Sequence, residues 1–296
     1  MYCPPDNLSA FLAAVYLPHR LSVSDSTAAQ YGYALRSLER HAGRPLKISE
    51  LSESLVLPWL RARLKEVSPR TVKRERGDVL TIWRWAHKHG YTSLPPPDIP
   101  PIRLPRRVPV AWTLDEYERV VATCRSLRGN MRGTGISRSA WWSSLMIFLY
   151  WSGARISAAL QVRSADVSML RRLVVLRADS SKTGEEQVVH LHDQAVAAIA
   201  GHFDLARELV WPYPYGRRQK FIQLKAILRT AGLPNGRERM FHCVRRTCYT
   251  LTYRFGGRAM ASAQLGHHTD MSEHYLDTSQ LEEQTAADVL PPLDLN

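Results

Sequence analysis

Cysteine is scarce and scattered. The four in 296 residues, Cys3, Cys124, Cys243 and Cys248, form no CxxC pair and no zinc-finger spacing. That excludes a disulfide framework and predicts reduced thiols with no metal held between them. Long apolar runs are missing too: the longest, Leu145 to Trp151, is far short of a membrane span. Met1 to Asp6 has no basic segment leading into an apolar stretch, so no signal peptide is expected. Neither a P-loop nor an acidic metal cluster is present. These absences together describe a soluble, cytoplasmic protein with no membrane partner.

Acidic residues and lysine are also in short supply. Lys and Arg number 40 against 27 Asp and Glu, a formal charge of +13, and 33 of the 40 are Arg. Arg presents a planar fork of donors that matches a phosphate in pairs, where Lys offers a point charge. With 45% hydrophobic residues the chain is a folded protein and no disordered polycation. Its expected partner is a polyanion, most simply nucleic acid.

The length suits two domains, and proline marks their boundary. Leu94 to Ala111 holds seven prolines in 18 residues, which cannot form helix or central strand. We read residues 1–94 as one domain, 95–111 as an extended linker and 112–296 as a second domain. Lys and Arg exceed Asp and Glu by 6 over residues 1–94 and by 5 over 112–296, so both halves can lie along one polyanion.

The first domain reads as a helical bundle. Thr27 with Gln30 suggests a capping box ahead of Tyr31, Leu35 and Leu38. Ser68-Pro69 predicts a helix start that leads to Gly90, with Arg70, Lys73, Arg74, Arg76 and Arg84 beside an apolar stripe of Val79, Ile82 and Trp85. Those five basic residues are the candidate DNA contacts. The second domain opens with a capping box, Thr113 and Glu116. A strongly apolar helix follows over about 139–151, Gly153 breaks it, and Arg155 opens another through about Val162. Two β-rich runs, Leu173–Leu176 and Gln187–Leu191, flank a Gly-containing turn and predict a hairpin. The rest reads as helix. The fold class is mainly α with a small sheet: a helical bundle followed by an α+β domain.

Three polar islands in the second domain exceed what helix packing asks for. They are Ser152-Gly153-Ala154-Arg155-Ile156-Ser157, His242-Cys243-Val244-Arg245 and Leu265-Gly266-His267-His268, the last followed by Tyr275. His242 and Arg245 are three apart, on one helix face. Lys182 sits at the hairpin tip. Taken singly, each is an ordinary surface or half-buried residue; in this order, on a basic two-domain chain, they resemble the tyrosine recombinases, the phage integrase family. That family's pattern is Arg, Lys on a hairpin, His-x-x-Arg, Leu-Gly-His and a nucleophilic Tyr. The matching residues here are Arg155, Lys182, His242, Arg245, His267 and Tyr275. Three details depart from it: eight residues separate His267 from Tyr275, one fewer than usual; Ala158 and Ala159 stand where Glu is frequent; Arg246 replaces a common His.

The resemblance implies a core-binding first domain, a catalytic second domain and an integrase or recombinase that cuts and rejoins double-stranded DNA through a 3′-phosphotyrosine, a scheme that needs no cofactor. Phosphodiester transfer gathers negative charge on non-bridging oxygens, which Arg155 and Arg245 would clamp. A phenol ionises near pH 10 in water, so the nucleophile needs a cationic field and a base, for which His242 is the candidate. Lys182 would protonate the departing 5′ oxygen and His267 would hydrogen-bond the phosphate. Family resemblance also implies a homotetramer on paired sites, with the tail after Tyr275 packed on a neighbour, room for accessory DNA-bending proteins, and a bacterial or phage-encoded, nucleoid-associated protein. Alternatives with the same motifs are a non-catalytic DNA-binding relative, a chromosome-dimer resolvase and a type IB topoisomerase.

Overall fold

The computed structural model describes residues 7–105, 108–180, 184–266 and 275–276. It divides into two compact units, Met1–Arg106 and Arg107–Asn296.

The first unit is helical. A short α1, Leu8–Phe11, runs into a π-helical turn, Leu12–Tyr16, and three longer helices follow: α2 Asp25–Ala42, α3 Glu53–Glu66 and α4 Pro69–Lys88. Helix α2 starts three residues earlier than the Thr27 signal implied. Ser24 is the cap and its Oγ accepts from the Thr27 backbone N–H at 3.3 Å. The Ser68-Pro69 start of α4 is as expected, with Ser68 Oγ accepting from the Thr71 N–H. Leu35, Leu38, Trp59, Val72, Val79 and Trp83 close the core. Across it, Arg63 of α3 grips the buried Glu75 of α4 with two bonds, Nε to Oε2 at 3.0 Å and Nη2 to Oε1 at 2.8 Å. That bidentate pair turns one of the acids of α4 inward.

At about 100° per residue, Arg70, Lys73, Arg74, Arg84 and Lys88 share one face of α4 within about 60° of a common line. Arg70, Lys73, Arg74 and Arg84 are exposed there. Arg76 lies on another face: it is half-buried, and its guanidinium donates to the Ile99 carbonyl. Ile99 is buried in the first unit's core, and Trp83 Nε1 donates to the Leu94 carbonyl at 2.9 Å. The front of the proline-rich segment is therefore docked on the bundle, because its free carbonyls find donors there.

Gly77 interrupts the basic face of α4, and a Cβ there would meet nothing within 4 Å. An interior helical Gly costs about 1 kcal/mol relative to Ala. Gly77→Ala is therefore expected to slow amide exchange in α4 about fivefold, measured by hydrogen exchange on the intact chain. Unchanged or faster exchange would show that the position is crowded or strained.

The second unit packs a small antiparallel sheet against helices. Its elements are α5 Leu114–Arg125, α6 Arg138–Ser152, α7 Ile156–Ala159, β1 Val167–Ser168, β2 Leu173–Leu176, β3 Gln187–His190, α8 Asp193–Ala200, α9 Gln219–Thr230 and α10 Phe241–Gln264. The Thr113–Glu116 capping box forms as expected. The helix expected from Arg155 to Val162 is shorter: Arg155 is the N-cap of a single turn that ends at Ala159. The β2–β3 hairpin pairs Leu173 with His190 and Leu176 with Gln187, and β1 adds a third strand beside β2. Two residues of β1 are too few to show alternation, so periodicity could not announce it. Helix α6 forms the spine of this unit, with Trp141, Trp142, Leu145, Met146 and Phe148 wholly buried. Cys124, Cys243 and Cys248 are buried and unbridged.

Among the described residues, no helix is long and apolar enough to cross a membrane. None of them gathers three potential metal ligands of the His, Cys, Asp or Glu type.

Candidate active site

The site begins where α6 ends. Gly153 takes a left-handed conformation (φ 60°) as the helix cap, which only glycine adopts without strain. A second constraint acts on the same atom. A Cβ on Gly153 would fall 2.8 Å from Leu265 Cδ1 and 3.0 Å from Cys248 Sγ. The chain then reverses and delivers Arg155, extended (φ −67°, ψ 141°) and half-buried, at the start of α7.

Helix α10 supplies His242 and Arg245 in its first two turns. Its backbone is broken at Gly257 (φ 76°, ψ 176°). In a straight helix residues 245 and 265 would stand about 30 Å apart. With the break, the second part returns, and Arg245 Nη2 donates to the Leu265 carbonyl at 2.9 Å. Arg245 Nη1 donates to the Gly153 carbonyl at 2.6 Å. One guanidinium, 3% exposed, thus joins the three polar islands of the sequence at their backbones. Burial lowers the Arg245 pKa from its ordinary value, and the Tyr275 phenol opposes that shift by charge and by a hydrogen bond.

Tyr275 is seated on this arrangement and is 5% exposed. Arg245 Cζ lies 5.3 Å from the centre of its ring, and the His242 ring centre is 5.6 Å away. Thr250 Oγ1 donates to the Tyr275 carbonyl at 3.3 Å, while the buried Tyr249 ring packs at 5.8 Å. Below them Cys248, Tyr249, Ala261, Leu265, Tyr275 and Leu276 form a small separate core.

His242 keeps part of its surface open to solvent, yet the packed atoms around its ring shed enough water to lower its pKa. That desolvation comes first, and the charges of Arg246, Arg245 and Arg155 add to it, taking the imidazole down to about 4. It is therefore neutral at pH 7 and able to accept a proton. A phosphate placed among these arginines would cancel much of their field and raise the affinity of His242 for that proton.

Four of the six candidate residues, Arg155, His242, Arg245 and Tyr275, thus come together. Lys182 and His267 lie outside the described residues, as does the tail from 277 onward. Their flanks nevertheless converge. Gln187, at the start of β3, donates through Nε2 to the Gln264 carbonyl at 2.9 Å, and Gln264 Nε2 donates to the Trp151 carbonyl at 2.6 Å. This chain of amides ties the root of the hairpin to the turn before His267 and to the last turn of α6. Thr250, Gln264 and the bridging role of Gln187 were not picked out by sequence reasoning, and Gly153 was read only as a helix break. The only hint was glycine next to two of the motif residues. Two further tyrosines follow on α10, too early in the chain for the motif's nucleophile: Tyr249 is fully buried against Tyr275, and Tyr253 lies at the edge of the small core.

Comparison with known proteins places this geometry. The sequence model described as the phage integrase family matches residues 112–280. A protein named as a tyrosine recombinase XerC of Pseudomonas aeruginosa is 24% identical over 184 residues, 60% of this chain. That match spans 43% of the relative, less than half of its length. A tyrosine recombinase of Thermosipho africanus is 23% identical over 269 residues, covering 87% of this chain and 89% of the relative. Among solved structures, lambda integrase residues 75–356, a dimer bound to a core site, superposes with a TM-score of 0.70 at 15% identity. That superposition covers 95% of this chain and 96% of the other. A lambda integrase tetramer bound to a Holliday junction gives 0.69, covering 91% and 77% respectively at 15% identity.

Proposed function

Because the chain belongs to the phage integrase family, we propose that it is a site-specific recombinase that cuts and rejoins double-stranded DNA through a 3′-phosphotyrosine. The observation that carries this reading is the seat of Tyr275, between the neutral imidazole of His242 and the guanidinium of Arg245.

Tyr275 Oη attacks the phosphorus and its proton passes to His242. The Oη–P bond forms and the P–O5′ bond breaks, leaving a free 5′ hydroxyl protonated by Lys182. Arg155 and Arg245 hold the non-bridging oxygens as charge builds on them, the kind of preorganised stabilisation that usually contributes most to catalysis. The phosphotyrosine ester keeps the energy of the broken bond, and attack by another 5′ hydroxyl reverses every step. His267 adds a hydrogen bond to the phosphate. Arg70, Lys73, Arg74 and Arg84 on the exposed face of α4 hold the duplex backbone, whereas Arg76 mainly secures the docked segment through Ile99. We further propose that the chain, divided into core-binding domain, linker and catalytic domain, works as a multimer on DNA, a tetramer when two sites are paired.

The test of the reading is covalent capture. Incubation with a nicked duplex whose cleaved fragment diffuses away should trap a protein–DNA adduct at Tyr275, mapped by mass spectrometry. Binding without any adduct would instead favour the non-catalytic relative. The acid has its own test. Lys182→Ala should slow cleavage of normal DNA, and a 5′-bridging phosphorothiolate should restore it, because sulfur leaves without protonation. An equal defect on both substrates would show that Lys182 only positions DNA.

A further inference from the structure

Two long stretches of the second unit contain no acid at all. Between Glu118 and Asp166 the sequence has seven Arg and no Asp or Glu; between Glu208 and Glu238 it has six basic residues and again no acid. The fold brings these stretches together at Arg132. Its backbone N–H donates to Tyr215 Oη and its Nη2 to the Pro214 carbonyl, both at 3.2 Å, and its Cζ lies 5.6 Å from the Tyr215 ring centre.

A rigid aromatic base supports this junction. Trp141 Nε1 holds the Pro212 carbonyl at 3.0 Å, and Tyr213 packs against both Trp141 and Tyr215 at 5.4 and 5.3 Å. Arg217 and Arg218 are exposed beside it, and Lys220 Nζ sits 5.8 Å from the Tyr213 ring centre. Arg132, Tyr215, Arg217 and Arg218 line a shallow open depression of about 490 Å³.

This surface carries uncompensated charge. Arg63, Arg172, Arg177 and Arg239 each pair with a carboxylate. Among the described residues, Arg132, Arg217, Arg218 and Lys220 form no ion pair. Burial and the neighbouring Arg217 lower the Lys220 pKa, as expected of cations crowded without a counter-ion. The ridge also adjoins the candidate active site, since Phe221, one residue after Lys220, packs edge-on at 5.6 Å against Phe241, the residue before His242.

We propose that Arg132, Arg217, Arg218 and Lys220 form a phosphate-binding ridge that grips the DNA sugar–phosphate backbone beside the cleaved phosphodiester. The inference rests on the recombinase reading above, because that reading supplies the polyanion. Four cations on an aromatic base offer contacts to phosphate charge, which positions a duplex without reading its bases.

Salt dependence of binding by the full chain tests this. Each phosphate contact contributes about 0.9 to the slope of log affinity against log salt. The double variant Arg217→Gln/Arg218→Gln should lower that slope by about 2 for duplexes of any sequence, with an unchanged melting temperature. Arg217→Lys/Arg218→Lys should keep it, since charge is retained. An unchanged slope in the Gln variant overturns the ridge, as does an equal loss in the Lys variant, which would assign the residues to packing. The two readings fail differently. A wild-type chain that binds no duplex at any salt overturns the recombinase reading, whereas wild-type binding matched by the Gln variant overturns the ridge alone.

Discussion

Tyr275→Phe is expected to remove all covalent attachment to DNA while leaving duplex affinity within about twofold. The Tyr275 ring is packed on Arg245, His242 and Tyr249, and its backbone carbonyl is held by Thr250, so phenylalanine keeps the apolar contacts and the backbone bond. Only the hydroxyl is lost, and with it the nucleophile on the ring that packs beside the neutral imidazole of His242. Duplex affinity comes mainly from cation–phosphate contacts, to which a phenol contributes little. Tyr249→Phe is the informative companion. That ring is wholly buried under Tyr275, with no opening to a duplex. Adducts should therefore persist in Tyr249→Phe. Adducts that persist in Tyr275→Phe and vanish in Tyr249→Phe would reverse the assignment.

The residue order on which this rests was visible in the sequence, and so was most of the scaffold. Capping signals at Ser68-Pro69 and Thr113–Glu116 found their helices because both act locally, through side chain and backbone within one turn. The Leu173–Leu176 and Gln187–Leu191 runs announced their hairpin for the same reason. Other features depend on distant residues and left no local trace. Arg76 belongs to the same basic run as Arg74, but its phase on α4 turns it to the docked segment, where the Ile99 carbonyl needs a donor. The break at Gly257 is a bare glycine in the sequence. Only the return of Leu265 to Cys248 and Arg245 gives it meaning. Gly153 looked like a helix stop and proves also to be the gap through which Leu265 approaches. Spacing from His267 to Tyr275, one residue short of the family habit, still allows the phenol to reach the guanidinium.

Arg155 and Arg245 look equivalent in the sequence, and the structure separates them. Alanine at either position is expected to cost roughly 3 kcal/mol or more of transition-state stabilisation, more than a hundredfold in cleavage rate on saturating DNA. Their effects on stability should differ. Arg155 is half-buried and makes no side-chain hydrogen bond among the described residues, so its loss should leave the melting temperature nearly unchanged. Arg245 is buried and satisfies the carbonyls of Gly153 and Leu265, holding the two turns together at their backbones. Arg245→Ala would leave both carbonyls without that donor, at about 1–3 kcal/mol each. For a unit of this size the expected fall in melting temperature is on the order of 5–20 °C. Lysine should rescue neither position. An ammonium lacks the planar fork needed to hold a phosphate in pairs, or to span two carbonyls and still face Tyr275. Single-turnover cleavage and calorimetry on the four variants separate these roles. Cleavage within threefold of wild type in either Lys variant would overturn the clamp. Equal melting losses at Arg155 and Arg245 would overturn the structural role given to Arg245 in joining the three islands.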